Sequence, residues 1–350
     1  MFIFTIAAEN YFAKALQLAH SIRLSQMDAE LALIVVESPS RSLPAPLLSS
    51  FDHIFHAIDL GYEAFDSFMF RHTIVEASTA IKPRAFMHLL SLFPREHTFI
   101  YLDPDINVYS PFKELNAAFL QGSIVVTPHL LMNEVGPERI GSIMFEVLKN
   151  GIFNLGFLAV RRSDQSHQFL KWWKARTESW CYNDQENGLF VDQKWIDFAV
   201  PFTNFSILLE PGYNVAFWNV PCRRFARNGD EYTVNMKPLR FIHFSNVADN
   251  DRTRAFLSQT PATYPLNELV DEYLRRLSVL QQLDWSSSRW SYGFYESGEE
   301  ICKRARLAYR SCQSVMDTFP NPFSASNKEI ISDSSELQSE SMFERAYTVR

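Results

Sequence analysis

Two apolar runs near the N-terminus, Phe2–Ala7 (FIFTIA) and Leu31–Val36 (LALIVV), constrain the fold more than any other feature. Neither alternates with polar residues, so neither suits a strand with one face in water. Between them, Asn10–Leu24 sets Ala13, Leu16, Leu18, Ala19 and Ile22 at helical spacing. Strand, helix and strand, with each strand apolar on both faces, predict a parallel sheet covered on both sides. After a loop over Pro39–Pro46, a short helix and a third strand near His53–Ile58 extend the pattern. Similar runs at Ser123–Thr127, Gly151–Val160 and Leu239–Phe244 make this an α/β chain.

The most informative stretch is Thr98–Phe112, TFIYLDPDINVYSPF. It opens as a buried strand and ends on Asp103 and Asp105, separated by Pro104. Proline cannot donate to a sheet ladder, so the strand stops or leaves the sheet there. Open α/β sheets bind ligands at the carboxyl ends of their strands. Two acids in that position suit a hard divalent cation and, through it, the phosphates of a nucleotide. They also suit a turn, where aspartate is common.

Other residues carry weaker signals. Lys82 and Arg84 flank Pro83 at the start of a helix predicted over Thr79–Leu92, a place with free N–H groups that favours anions or simply meets solvent. Asn154 and Gly156 interrupt a strand, as a β-bulge or a close backbone approach to a ligand requires. Asp192 and Gln193 fall in the first turns of a helix predicted over Gly188–Phe198. There a carboxylate acts as a base if its pKa is raised, or merely complements the helix dipole. His129 and His243 each end a strand, positions that suit a structural histidine as well as a ligand. Aromatic residues at Tyr213–Trp218 and Trp285–Tyr295 pack in a core or stack on a sugar. Residues 61–80 read as irregular.

At 350 residues and 47% hydrophobic, the chain holds one large α/β domain with additions, or two domains. A net charge of -7 argues against nucleic acid as a partner. Cysteines 181, 222, 302 and 312 form no CxxC pair, which points to a reducing cytoplasm. The start lacks the basic region of a signal peptide, and no apolar run approaches the ~20 residues that span a bilayer. A basic helix over Ser297–Ser314, with Lys303, Arg304, Arg306 and Arg310, suits an anionic membrane surface or plain solvent. From Ser324 the chain is Ser- and Glu-rich and reads as disordered.

In order, IAAENY, TAIKP, YLDPDINV, TPH, GIFNLGF, VDQKWID, PGYNVAFWNV and HFSN resemble the bacterial GT-A glycosyltransferases of surface-polysaccharide clusters, which are similar to glycosyltransferase family 8. The resemblance covers residues 1 to about 320. It implies a GT-A-type, Rossmann-like mixed sheet with helices on both faces and a helical C-terminal extension. The expected parts are a catalytic domain over residues 1–250, a helical and aromatic subdomain over 251–323, and a disordered tail over 324–350. It implies a divalent cation, Mn2+ or Mg2+, held by Asp103, Asp105 and His243. The donor would be a nucleotide-diphosphate sugar, a UDP-sugar foremost, and the acceptor a glycan or lipid-linked saccharide. Thr5, Ala7 and Asn10 would line the base and ribose, and Lys82 the donor phosphates. Asn154, Gly156 and Gln193 would lie near the donor sugar, with Asp192 beside the anomeric carbon. Asp192 and Asn154 are thus the expected catalytic pair.

The chain departs from that family at one place. The Lys-Pro-Trp element that commonly closes on the diphosphate is missing from HFSNVADNDRTR, where Asn246 stands for the usual glycine. Arg252 or Arg254 would have to supply the charge. The rival readings are a sugar nucleotidyltransferase, disfavoured because no Gly-rich loop follows the first strand, and a non-catalytic scaffold of the same fold.

Overall fold

The computed structural model describes residues 1–131, 143–245, 247, 251–258, 264–282 and 289–334. In chain order the strands that matter are β1 (Phe2–Ala7), β2 (Glu30–Val35), β3 (His53–His56), β4 (Thr98–Leu102), β5 (Ile106–Val108), β6 (Ile124–Pro128), β7 (Phe153–Arg161), β8 (Phe205–Ile207) and β9 (Phe241–His243). Seven of them form one sheet in the order β8-β6-β7-β4-β1-β2-β3. Only β7 runs against its neighbours in that sheet, so it is mixed, as expected. The carboxyl ends of β1, β2 and β4 therefore share one edge, where β7 begins. β5 and β9 pair as a separate antiparallel ribbon beyond that edge.

The helices used below are α1 (Phe12–Leu24), α2 (Phe65–Arg71), α3 (Ile74–Ala80), α4 (Lys82–Leu92), α5 (Asp164–Trp180), α6 (Lys194–Ala199), α7 (Pro265–Gln281), α8 (Lys303–Ser311) and α9 (Asn327–Ser334). The unbroken apolar strands are explained by two cores. Phe4 and Ile6 of β1 pack with Phe86 of α4 and Trp173 of α5 on one face. Ile3 and Ala7 pack with Leu16 and Ile22 of α1 on the other. Each such buried Phe or Leu contributes about 1.5–3 kcal/mol.

Four expectations need correction. Residues 61–80 are not irregular: α2 and α3 occupy them. α3 starts at a capping box in which the Thr73 hydroxyl accepts from Glu76 N and the Glu76 carboxylate accepts from Thr73 N. The predicted helix over Gly188–Phe198 starts only at Lys194. Before it, Leu189–Phe190 pairs with Asn183–Asp184, and Val191 takes a φ of 41° that no right-handed helix permits. The segment from Ser324 is not wholly without structure, because α9 forms with Ile330 buried; residues 335–350 lie outside those described. The basic helix is also shorter than predicted, and it turns half its cations inward. Arg306 donates to the carbonyls of Phe70 and His72 at 2.8 Å and to Tyr292 O at 2.6 Å, while Arg310 pairs with Glu76. Only Lys303 and Arg304 of the four are exposed. Among the described residues no helix is long and apolar enough to cross a membrane.

Candidate active site

β4 ends where the sequence requires. Asp103 N still donates to Gly156 O of β7 (2.8 Å), but Pro104 breaks the ladder and the chain turns out into β5. β5 meets β9, and Phe244 N donates to Asp105 O (2.8 Å) just past the ribbon's end. This pairing carries His243 across about 140 residues of sequence to the two acids. His243 Nε2 lies 3.0 Å from Asp105 Oδ1 and 3.6 Å from Asp103 Oδ2. One ligand atom from each of the three falls within 4.8 Å of the others. Two carboxylates and an imidazole form a donor set that fits a divalent cation.

The electrostatics follow from burial and pairing. Burial opposes charge on His243, but the Asp105 carboxylate outweighs it and raises the His243 pKa. Burial likewise opposes charge on Asp105, and His243 overcomes it, so the Asp105 pKa falls below the usual carboxylate value.

A buried amide network sets the orientation of His243. Asn154 Oδ1 accepts from Gly156 N (3.0 Å) and Asn214 Nδ2 (3.0 Å), so it also accepts from His243 Nδ1 (3.2 Å). That fixes the proton on Nδ1 and turns Nε2 to the acids, as a metal-ligating histidine requires. Asn154 Nδ2 in turn donates to His129 Nε2 (3.3 Å), and His129 Nδ1 donates to Ile152 O (3.2 Å). Burial pushes the His129 pKa down to about 4, so it stays neutral, with both ring nitrogens engaged in this network.

Gly156 leaves space for His243. A Cβ there would stand 2.4 Å from His243 Cε1, so the glycine makes room for the imidazole. The strand irregularity near it is the β-bulge that the sequence suggested: the register of β6 against β7 shifts between Val126 and Pro128. Asn214, which no reading of the sequence singled out, sits at φ 47°, a conformation asparagine tolerates. Its signal was the Tyr-Asn pair after Pro211-Gly212, a turn signature.

Lys82 is not a solvated helix end but a buried, paired cation. Its Nζ is buried 3.0 Å from Asp192 Oδ2, 3.7 Å from Asp103 Oδ1, and donates to Leu155 O at 3.0 Å. The Asp192 contact is an ion pair with no well-directed hydrogen bond on Oδ2. Burial raises the Asp192 pKa, and the attraction of Lys82 offsets only part of that. For Lys82 the balance reverses: burial opposes its charge, but Asp192 and Asp103 raise its pKa. Tyr101 completes the group, donating its hydroxyl to Asp103. Asp192 precedes α6 instead of lying in it. Its backbone is pinned by Trp173 Nε1, which donates to Asp192 O (3.2 Å), and by Val191 N, which donates to Tyr182 O (3.0 Å). Arg84 points elsewhere, to Gly61 O (2.6 Å) and Glu178.

Beside this cluster opens a cleft of about 680 Å³, lined by His129, Asn154, Gln193, Trp218 and His243 among others. Gln193 is fixed by donating to Asn150 O (2.6 Å). Of the aromatic candidates, Tyr213 is core, bonded to Glu114 (3.0 Å), and Trp218 reaches the cleft. Thr5 and Ala7 are buried within β1 and Asn10 is exposed after it. Much of the nearby backbone is already engaged. Val36 N donates to Ala7 O (2.9 Å) and Glu9 N to Glu37 (3.0 Å). Glu37, overlooked in the sequence, also accepts from Ser291 N (2.8 Å), so residues near 290 cover this end of β1 and β2. Asn246 and the Arg252 side chain lie outside the described residues, and Arg254 is exposed on the helix Asp251–Ser258.

No model of a known protein family matches the chain. It is 28% identical over 216 residues to the uncharacterized protein YfnF of Bacillus subtilis (strain 168), covering 58% of this chain and 69% of that one. With YfnD of the same organism it shares 22% over 176 residues, 49% of this chain and 54% of the other. Among solved structures it is similar to the galactosyltransferase LgtC in complex with donor and acceptor sugar analogs, at 14% identity and TM-score 0.43 over 80% of this chain and 96% of that. Glycosyltransferase GlyE of Streptococcus pneumoniae TIGR4 gives 14% and 0.45 over 84% and 66%. Mouse xyloside xylosyltransferase 1 gives 14% and 0.39 over 69% and 96%. These likenesses are distant.

Proposed function

We propose that the chain is a metal-dependent glycosyltransferase. It would move a sugar from a nucleotide-diphosphate sugar, a UDP-sugar foremost, to a hydroxyl of a glycan or lipid-linked saccharide. The observation that carries this reading is the convergence of Asp103, Asp105 and His243 at the sheet's carboxyl edge, with Asn154 fixing the histidine tautomer. Asp103, Asp105 and His243 would hold Mn2+ or Mg2+, which when bound supplies a Lewis acid for the leaving diphosphate. The cleft that Asn154 and Gln193 line would take the donor sugar, with Trp218 on its wall. Asp192, ionised against Lys82, would stabilise positive charge at the anomeric carbon. Lys82 holds that carboxylate in place and contacts the diphosphate less directly than its sequence position suggests.

The test is thermal stability against UDP, GDP, CMP and dTDP, each with and without Mn2+. A ligand at ~100 times its dissociation constant adds about 2.7 kcal/mol, a readable shift in melting temperature. We expect a Mn2+-dependent shift with one nucleotide, abolished in Asp103→Ala. No shift with any of them in folded protein refutes the donor site and leaves the scaffold reading.

A further inference from the structure

Away from the site, α5 and α6 border a second cleft of about 580 Å³. Gln165, Gln168 and Trp172 of α5 recur at intervals of three and four and share one helix face. Opposite stand Phe198, 62% exposed, and Phe202, 78% exposed. The Trp172 and Phe198 rings are 3° from parallel with centroids 6.2 Å apart, and Phe202 follows Phe198 at 5.6 Å. Arg176 lies 4.4 Å from the Trp172 ring centroid and steadies it. Asn204 closes the far end. Its backbone is seated against Gly122, where a Cβ would come within 2.5 Å of Asn204 O.

Exposed rings of this size, set in a row, call for an occupant. The polar groups around them restrict its chemistry. Among the described residues no ionisable one lines the cleft; it offers the carboxamides of Gln165, Gln168 and Asn204 and the hydroxyl of Thr203. A carboxamide donates and accepts at once, which matches a pair of neighbouring hydroxyls. An aromatic face accepts the apolar C–H face of a pyranose ring. The charge beside these rings, Arg176, is held behind Trp172 by donating to Trp172 O (3.2 Å) and does not line the cleft. We infer that this cleft binds a neutral oligosaccharide, a distal part of the glycan acceptor.

The inference rests on the proposed transferase function for its link to the active site. Gln193, at the start of α6, lines the main cleft, and Phe198, near its end, lines the second. At ~1.5 Å per residue the two lie about 8 Å apart along the helix, a span that a few linked sugars bridge.

The experiment is titration of the full chain with linear hexasaccharides of glucose and of N-acetylglucosamine, followed by calorimetry and tryptophan fluorescence. We expect saturable millimolar binding that weakens about tenfold in Phe198→Ser/Phe202→Ser. The Mn2+-dependent nucleotide shift should not change in that variant. Three results overturn the inference, the first two being no binding of any hexasaccharide to the wild type and equal binding by the variant. A third is loss of a dimer in the variant by ultracentrifugation without loss of sugar binding, which would make the face a contact between copies. Sugar binding without any nucleotide shift would instead sink the transferase reading and leave the cleft as a carbohydrate site.

Discussion

Gly156→Ala isolates the histidine's orientation from the metal ligands themselves. The added methyl would stand 2.4 Å from His243 Cε1, 2.6 Å from its Nδ1 and 2.8 Å from Asn154 Oδ1. Gly156 does not hold a left-handed φ, so alanine adds no backbone strain and the effect is steric. Neither neighbour can yield freely. His243 is 4% exposed and flanked by Trp218 at 5.5 Å, and Asn154 Oδ1 already accepts from three donors. Overpacking a filled site costs about 1–3 kcal/mol, and disturbing a group that orients a metal ligand lowers metal affinity about 10–100-fold.

The assay is calorimetric titration with Mn2+, paired with thermal denaturation. Gly156→Ala should melt a few degrees lower and bind Mn2+ at least about tenfold more weakly. Gly293→Ala is the control, since a Cβ there meets nothing nearer than 3.9 Å. Folded Gly156→Ala with wild-type Mn2+ affinity would refute the claim that the Asn154–His243 contact prepares the site.

Lys82→Met should destabilise the protein by about 3–5 kcal/mol in urea, because it leaves Asp192 buried without a cation; a change under about 1 kcal/mol would show that the pair is solvated. Stability should also fall in mild acid. Burial depresses the His72 pKa from 6.5 to about 3, so the unfolded chain takes up its proton first. Stability is then lost as pH drops below 6.5, by about 1.4 kcal/mol at pH 5.5, and His72→Asn should flatten that slope. Arg306→Met should cost at least about 2 kcal/mol by orphaning the carbonyls it serves, with no effect on Mn2+ affinity; a neutral result would show that α8 docks without it.

Continuous apolar runs, helical spacing and the proline after Asp103 are local signals. They suffice for the sheet, its parallel arms and the exit of β4 toward the acids. The structure also brings His243 to Asp103 and Asp105, but the histidine's spacing alone left its role open. The β5–β9 ribbon that joins them links residues far apart in sequence, and strand pairing at that distance has no local mark. The same holds for Glu37 and Ser291, or Arg306 and the end of α2. Each contact depends on where the C-terminal segment returns to the sheet.

The residues that local signals missed, left open or misread share a physical character. Asn214 was not singled out, Gly156 suited a bulge or a ligand contact, and Val191 was expected in a helix. Gly156 and Asn214 pack around Asn154 and His243, and Val191 presents Asp192. Val191 shows the point most sharply. A β-branched residue at φ 41° is strained by about 1–3 kcal/mol, and local propensity argues against it. The strain persists because Trp173 and Tyr182 hold the backbone on either side, and it aims the next carboxylate at Lys82. A sequence reveals a site most readily through the groups that do chemistry. The groups that position them surface as conflicts with local preference, at the places where the surrounding fold overrules it.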